Sequence, residues 1–126
     1  MSAAAVRAFF DAWNRREIDE AMEHVAEECH YNDFSFVRPH VGRAEVRALF
    51  EKVAEMAPGV TFLLHDVTGT CDEGTRDVGT YWEIANDGVP TGRVGVSYYR
   101  FDDDDKLVWA LDAPDPGPKH RRHDYH

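Results

Sequence analysis

The sequence predicts an α+β domain in which a curved antiparallel sheet wraps against three helices. The spacing of apolar residues changes from a period of 3.6 to a period of 2 after about Val60. The stretch from Gly92 to Asp112 is typical of two long strands joined by a charged turn, and both faces of its first strand are apolar. Such a strand is covered on both sides, so we expect a core on one face and a ligand pocket or second subunit on the other.

Three apolar stripes predict the helices. The first stripe places Val6, Phe9, Phe10 and Trp13 at i, i+3, i+4 and i+7. The second stripe consists of Ile18, Ala21, Met22, Val25 and Cys29, and the third of Val46, Leu49, Phe50, Val53 and Met56. The third helix is predicted from about Arg43 to Ala57, because Pro58 and Gly59 end it.

Alternating residues predict the strands. A short strand over 31–36 precedes the third helix, and strands over 60–68 and 76–85 follow it. A turn at 86–88 leads to the closing hairpin over 92–112. The predicted order is therefore two helices, a strand, a helix and four strands.

Composition limits the classes of function. The 126 residues predict a single domain over 1–116 and a short His- and Arg-containing polar tail over 117–126. A formal charge of −10 argues against nucleic-acid binding, since phosphate contacts need clustered Lys and Arg. No apolar run approaches the roughly 20 residues that cross a bilayer, so no membrane association is predicted.

The remaining bulk features predict an ordinary soluble protein. Cys29 and Cys71 have no partners at ligand spacing and are expected to be reduced. No His and carboxylate set recurs at metal-ligand spacing, so neither a metal nor another cofactor is predicted. The N-terminus lacks the pattern of a secretory signal, which predicts a cytoplasmic protein, or a plastid protein if a transit peptide has been removed.

Four segments carry a resemblance to a known superfamily. They are FFDAWNRREIDEAMEHVAEEC, YNDF, GRAEVRALF and SYYRFDDDDKLVWALD. In this order they resemble the NTF2-like superfamily in its SnoaL-like branch, which includes ketosteroid isomerases, polyketide cyclases, limonene epoxide hydrolases and many non-catalytic binding or dimerisation domains. The segments WEIANDGVP and VSYYRFDDDDKLVWALDAPDPGPK also resemble the plastid-associated SnoaL-like proteins of plants and algae.

The resemblance implies a cone whose interior is a pocket for a small hydrophobic molecule and whose outer sheet face forms a homodimer. Strand parity then places Trp82, Ile84, Ser97 and Tyr99 inside and Tyr81, Glu83 and Tyr98 outside. Large rings suit an apolar ligand, so the predicted pocket walls are Trp13, Phe50, Trp82 and Tyr99. The alternative is a filled core without a cavity.

In the ketosteroid isomerase pattern a carboxylate on the first strand is the general base, and Asp33 of YNDF occupies that place. An apolar cavity would raise the pKa of such a carboxyl. The isomerase's oxyanion donors are matched by Phe9 and Ser97, of which Phe9 cannot donate a hydrogen bond. Efficient steroid isomerisation is therefore not expected. The alternative for Asp33 is a structural role at a junction between strand and turn.

Two further residues are candidates for acid and base chemistry. Asp112 could pair with Asp33, or it could cap the turn that follows it. His65 lies on a predicted strand and could meet the pocket. The epoxide hydrolase relay is disfavoured because Arg76 and Asp77 are adjacent and would point to opposite faces.

The sequence thus predicts a SnoaL-like pocket protein for which isomerase, cyclase and hydrolase are the candidate enzyme types. In an isomerase or cyclase, Asp33 would act as general base on a hydrophobic ligand. The main alternative is a non-catalytic module that binds a ligand, or that dimerises or docks a partner through Tyr81, Glu83, Val96 and Tyr98. A third possibility is a designed or degenerate scaffold without activity.

Overall fold

The computed structural model describes residues 2–69 and 76–117. Three helices pack against one six-stranded, curved open sheet. The helices are α1 (Ser2–Asn14), α2 (Ile18–Met22) and α3 (Arg43–Met56). The strands are β1 (Val25–Asp33), β2 (His40–Val41), β3 (Val60–Gly69), β4 (Asp77–Asn86), β5 (Val89–Phe101) and β6 (Leu107–Pro114). The α+β class is confirmed.

The strand order across the sheet is β2-β1-β6-β5-β4-β3. Neighbouring strands are antiparallel with one exception, because β1 and β6 run parallel. The first long strand therefore lies beside the last, and the purely antiparallel sheet predicted from the sequence is wrong at this position. In the β1–β6 register Asp33 is the partner of Asp112.

The second helix is much shorter than predicted. It ends at Met22, and β1 already begins at Val25. Val25 and Cys29 are buried, but as members of a strand rather than of a helix. Their spacing of four places two residues on one face of either element, so the apolar pattern alone cannot separate the two.

The strand predicted over 31–36 ends at Asp33, and β2 was not predicted. Helices α1 and α3 and strands β3 to β6 agree closely with prediction, except that Met56 of the α3 stripe is exposed. The stripe of α1 is buried, with Val6 fully enclosed, and α3 buries Val46, Leu49 and Phe50. Strand β5 alternates as expected, since Ser97, Tyr99 and Phe101 are buried while Tyr98 and Arg100 are exposed.

Polar contacts fix the end of α1 against the start of β3. The Asn14 side chain donates to the Phe62 carbonyl (2.8 Å) and accepts from the Phe62 amide (2.9 Å). Arg16 adopts a positive φ of 60° and donates to the carbonyls of Ala57 (2.9 Å) and Val60. These contacts hold Trp13 and Phe62 close together, with ring centroids 6.4 Å apart.

Several sequence predictions fall outside the described residues. They concern Cys71 and the part of the polar tail after Gly117. Cys29 is a buried thiol, and burial raises its pKa to about 12. Among the described helices, none combines the length and the apolar composition needed to cross a bilayer.

Candidate functional site

A cavity of about 80 Å³ lies between the helices and the concave face of the sheet. Its walls come from α1, α3 and five of the six strands, so it is built from the whole fold rather than from one loop. Eight aromatic side chains, two aliphatic side chains and two carboxylates line it: Phe9, Phe10, Trp13, Tyr31, Asp33, Leu49, Phe50, Val53, Phe62, Trp82, Tyr99 and Asp112. The cavity therefore has mainly apolar walls and one acidic region.

The aromatic wall is a chain of rings in contact. Tyr31 contacts Phe50 (5.5 Å between centroids), Phe50 contacts Trp13 (5.3 Å), and Phe62 contacts Trp82 (5.1 Å). With the Trp13–Phe62 contact, these pairs form a continuous series from Tyr31 to Trp82. Most meet edge to face, a favourable arrangement for aromatic rings.

Trp82 fits closely against Gly95, its register partner on β5. A Cβ atom built at Gly95 would lie 2.2 Å from the Trp82 ring, which is far closer than two carbon atoms approach. The ring can therefore cover the neighbouring strand only because this residue is glycine.

Three hydroxyl groups converge on the carboxyl of Asp112. Tyr31 donates to Oδ2 at 2.5 Å, whereas Ser97 and Tyr99 donate to Oδ1 at 2.6 and 3.1 Å. Tyr31, Ser97 and Tyr99 are each at most 4% exposed. Although part of Asp112 remains accessible, its carboxyl group is thus surrounded by buried side chains.

The direction of these hydrogen bonds follows from Trp82. Its indole N–H can only donate, and it lies 2.8 Å from Ser97 Oγ. Ser97 therefore accepts from Trp82 and gives its own proton to Asp112 Oδ1. Because Oδ1 accepts two hydrogen bonds and Oδ2 only one, Oδ2 has more room to take up a proton.

Asp33 lies beside Asp112 at the end of β1 and also lines the cavity. Its Oδ1 accepts a hydrogen bond from the Ser35 amide (2.8 Å), which closes the turn after the strand. Both interpretations of Asp33 thus have structural support: it contacts the turn and it borders the cavity.

Burial is the main influence on the ionisation of the site. It raises the pKa of Asp112 from 3.8 to about 6, against the opposing effect of the hydroxyl donors. The charge of the nearby Asp33 carboxylate is a smaller contribution to the same rise. Burial, followed by the Asp112 charge, also raises the pKa of Tyr31 and of Tyr99 well above 10. Asp112 therefore titrates close to neutrality, whereas both tyrosines keep their protons.

Seven of the ten site residues predicted from the sequence line the cavity: Phe9, Trp13, Asp33, Phe50, Trp82, Tyr99 and Asp112. Ser97 contacts the site indirectly, through its hydrogen bond to Asp112. Ile84 is partly buried and packs against the core without lining the cavity.

His65 is not brought to the cavity. Phe62 and Leu64 pack inward against the core, so His65 faces the opposite side of β3. There its Nε2 lies 2.8 Å from Glu83 Oε1, and its ring contacts Tyr81. The structure therefore does not place His65 where it can contact a ligand in the cavity.

Sequence reasoning missed Tyr31, the donor to Asp112 Oδ2, and also the wall residues Phe10, Leu49, Val53 and Phe62. The signal for Tyr31 was present, because it lies two residues before Asp33 on the same face of one strand. Its contact with Asp112 could not be read locally, since the two are 81 positions apart. No group of three His, Cys, Asp or Glu side chains in the described ranges is placed to hold a metal ion.

The fold is similar to several solved structures. One is an NTF2-like protein of unknown function from Cytophaga hutchinsonii, at 17% identity and a TM-score of 0.72, with 96% of each chain covered. A SnoaL-like protein of unknown function from Burkholderia thailandensis matches at 20% identity and a TM-score of 0.73, covering 90% of this chain and 94% of that one.

A candidate polyketide cyclase from Xanthomonas campestris matches at 16% identity and a TM-score of 0.67, covering 88% of this chain and 87% of that one. At such identities the likeness concerns the fold alone. No curated protein is significantly similar to the chain. The sequence profile of the SnoaL-like domain matches residues 6–110, and because this match spans most of the chain, the protein belongs to the SnoaL-like domain family.

Proposed function

We propose that the cavity binds a small, largely apolar molecule and that Asp112, with Asp33 beside it, transfers a proton on that molecule, as in an isomerase or cyclase. The observation that carries the proposal is the Asp112 carboxyl group, which borders an aromatic cavity and has a pKa raised to about 6. A general base works best when its pKa lies near the operating pH.

Asp112 is favoured over Asp33 as the first proton acceptor. Burial of its carboxyl group raises its pKa despite the three donors, whereas Asp33 Oδ1 is held by the backbone of the adjacent turn. Asp33, the register partner of Asp112, would serve as the second carboxylate that returns the proton at another position of the ligand. This assigns the general-base role expected for Asp33 to the pair, with Asp112 leading.

The tyrosines supply donors that Phe9 and Ser97 do not. While Asp112 is ionised, the Tyr31 and Tyr99 hydroxyls donate to it. Once Asp112 Oδ2 takes the ligand's proton, the carboxyl becomes neutral and holds those hydroxyls less strongly. A ligand oxygen that becomes negative in the same step can then accept a hydrogen bond from Tyr31 or Tyr99.

The test is the conversion of cyclohex-3-enone to its conjugated isomer, followed by ultraviolet absorbance. This reaction removes a proton beside the carbonyl and returns one to a carbon. We expect the protein to accelerate it with a rate that rises as the pH passes about 6, where Asp112 ionises. Asp112→Asn should lower kcat/KM by about 100-fold or more, the usual contribution of a positioned base.

Asp77→Asn is the matched control, because it removes a carboxylate from the outer sheet face and leaves the cavity lining unchanged. It should retain the activity of the unmodified protein. Absence of acceleration, or equal activity in the Asp112→Asn variant, would contradict the proposal.

A second candidate function rests on the outer sheet face. Tyr81, Val96 and Tyr98 are 44%, 54% and 39% exposed, and Tyr81 and Val96 are register partners. An apolar patch of this kind supports a non-catalytic dimerisation module. Light scattering should then give a dimer mass that Val96→Arg reduces to a monomer mass, whereas a monomer at all concentrations would eliminate this candidate.

A further inference from the structure

The charges and hydrogen-bonding groups around the cavity indicate which ligands it can accept. Two carboxylates, Asp33 and Asp112, line it, and none of the described lining residues is Lys, Arg or His. Two nearby negative charges favour a positive ligand and disfavour a negative one.

The polar atoms around the cavity act mainly as acceptors. The Tyr31 and Tyr99 hydroxyls donate to Asp112, and the Trp82 indole donates to Ser97. The Trp13 Nε1 atom has no partner among the described residues, but it is buried and out of reach of a molecule the size of water. Among the described lining residues, a neutral ketone entering the cavity while Asp112 is ionised would thus meet no free side-chain donor, whereas a ligand N–H group would meet several acceptors.

The aromatic wall favours the same class of ligand. A cation is attracted to the faces of Trp, Tyr and Phe rings within about 6 Å. Trp13 already makes a cation–π contact within the protein, because the Arg16 guanidinium lies 4.3 Å from the centroid of its ring. Arg16 itself is bound to the carbonyls of Ala57 and Val60 and does not line the cavity.

The volume limits the size of the ligand. An apolar cavity of roughly 150 Å³ can hold benzene, and this cavity measures about 80 Å³. It can therefore enclose a methylated ammonium group or part of a five- or six-membered ring, with the rest of the ring lying at the opening of the cavity. A steroid would have to remain mostly outside.

We propose that the cavity recognises a small organic cation, an amine or iminium ion, through Asp33, Asp112 and the surrounding aromatic rings. This inference rests on the proposed function in that it names the ligand class of the same site. It also supplies a chemical reason for the scarcity of free donors. When an iminium ion loses a proton from the adjacent carbon to Asp112, the C–H electron pair becomes the C=C bond and the C=N π pair becomes a nitrogen lone pair. The product is a neutral enamine, so no oxyanion has to be stabilised.

The test compares three five-membered rings of similar size: pyrrolidinium, neutral tetrahydrofuran and the anion cyclopentanecarboxylate. Binding is followed at pH 7.5 and low salt by NMR shifts of the Trp13 and Trp82 indole signals. We expect pyrrolidinium to bind at least about tenfold more tightly than tetrahydrofuran, and the anion not to bind. Equal or tighter binding of tetrahydrofuran would overturn the proposal, and so would no binding of pyrrolidinium at about 10 mM, a concentration that detects even weak affinity.

Isosteric variants separate charge from shape. Asp112→Asn and Asp33→Asn should each weaken pyrrolidinium binding severalfold and leave tetrahydrofuran binding unchanged, while Asp77→Asn should change neither. The pKa of Asp112, measured by carboxyl NMR, should fall when pyrrolidinium binds, because a neighbouring positive charge favours the carboxylate. An unchanged or raised pKa would count against the cation.

The two proposals can fail separately. If pyrrolidinium binds but the protein does not accelerate proton transfer, the ligand class stands and the proposed reaction is wrong. If cyclohex-3-enone is isomerised through Asp112 while pyrrolidinium does not bind, the reaction stands and the cation is wrong.

Discussion

Two tyrosine–aspartate pairs on opposite faces of β5 show how position governs chemistry in this protein. Tyr99 faces inward and donates to Asp112 at 3.1 Å, whereas its neighbour Tyr98 faces outward and donates to Asp77. Burial raises the pKa of Asp112 to about 6. The pKa of Asp77 is lowered, first by the hydrogen bond from Arg100 and then by that from Tyr98.

The difference does not come from the residue types, which are the same in both pairs. It comes from water and from the presence of a cation. Asp77 is 39% exposed and has an arginine partner at 3.0 Å, so its charged form is well solvated and neutralised. Asp112 has neither advantage, and its hydroxyl donors only partly replace water.

The largest expected effect concerns the pH dependence of stability. Asp112 loses its proton near pH 3.8 when unfolded but keeps it to about pH 6 when folded. Proton binding therefore stabilises the fold below pH 3.8, and this contribution, at most on the order of 3 kcal/mol, is lost as the pH rises through 6. Asp112→Asn should remove that dependence. Urea unfolding of the unmodified protein and of the Asp112→Asn variant between pH 4 and 7 measures this pH dependence.

The contribution of Asp77 to stability should change with pH in the opposite direction, and the Asp77→Asn variant tests this. Because the pKa of Asp77 is lowered in the fold, its contribution is present above the unfolded pKa and is lost as the pH falls. At pH 7 the variant should lose no more than about 1 kcal/mol, because the pair is exposed. If Asp112→Asn retained the full pH slope between 4 and 6, the contrast between the two faces would be refuted.

A smaller effect is expected from removing one hydroxyl at a time. Tyr99→Phe deletes a donor to a buried carboxyl and should destabilise the protein by about 1 to 2 kcal/mol at pH 7. It should also raise the pKa of Asp112, since the Tyr99 hydrogen bond lowers that pKa. Chemical denaturation measures the loss of stability, and carboxyl NMR measures the pKa of Asp112.

Tyr98→Phe is the matched control on the outer face, and its effect on stability should stay within about 0.5 kcal/mol. Equal losses from Tyr98→Phe and Tyr99→Phe would mean that the two carboxylates depend on their hydroxyl donors to the same degree.

The smallest effect is expected at His65. This residue pairs with Glu83 on the outer face, and its side chain is 41% exposed. His65→Gln should leave the rate of cyclohex-3-enone isomerisation within about twofold and stability within about 0.5 kcal/mol. A large loss of rate with the fold intact would show that the outer face takes part in the chemistry.

Local patterns were sufficient for much of the fold. Period and turn residues located α1, α3 and the strands β3 to β6, because each pattern is complete within a short stretch. They failed between Met22 and Tyr31, where Val25 and Cys29 fit both a helix and a strand. The missing information was the β1–β6 pairing, which involves residues distant in sequence.

The candidate site likewise has one part that could be predicted from the sequence and one part that could not. The aromatic walls at Trp13, Phe50 and Trp82 could be predicted, because helical spacing and strand parity identify the residues that face inward. The relation between Tyr31 and Asp112 could not, since it exists only once two distant strands lie side by side. A residue's face can be read from its neighbours, but its partner on another strand cannot.

The parallel pairing of β1 with β6 also bears on how the protein is made. Tyr31 and Asp112 lie 81 positions apart, so a ribosome completes almost all of the sheet before the second of them is synthesised. Contacts of such separation close slowly, because a long chain must first be brought together. Until β6 inserts between β1 and β5, each of these two strands has an additional unpaired edge and the apolar cavity is incomplete. We therefore expect this step to be the point at which a folding chaperone gives the most protection.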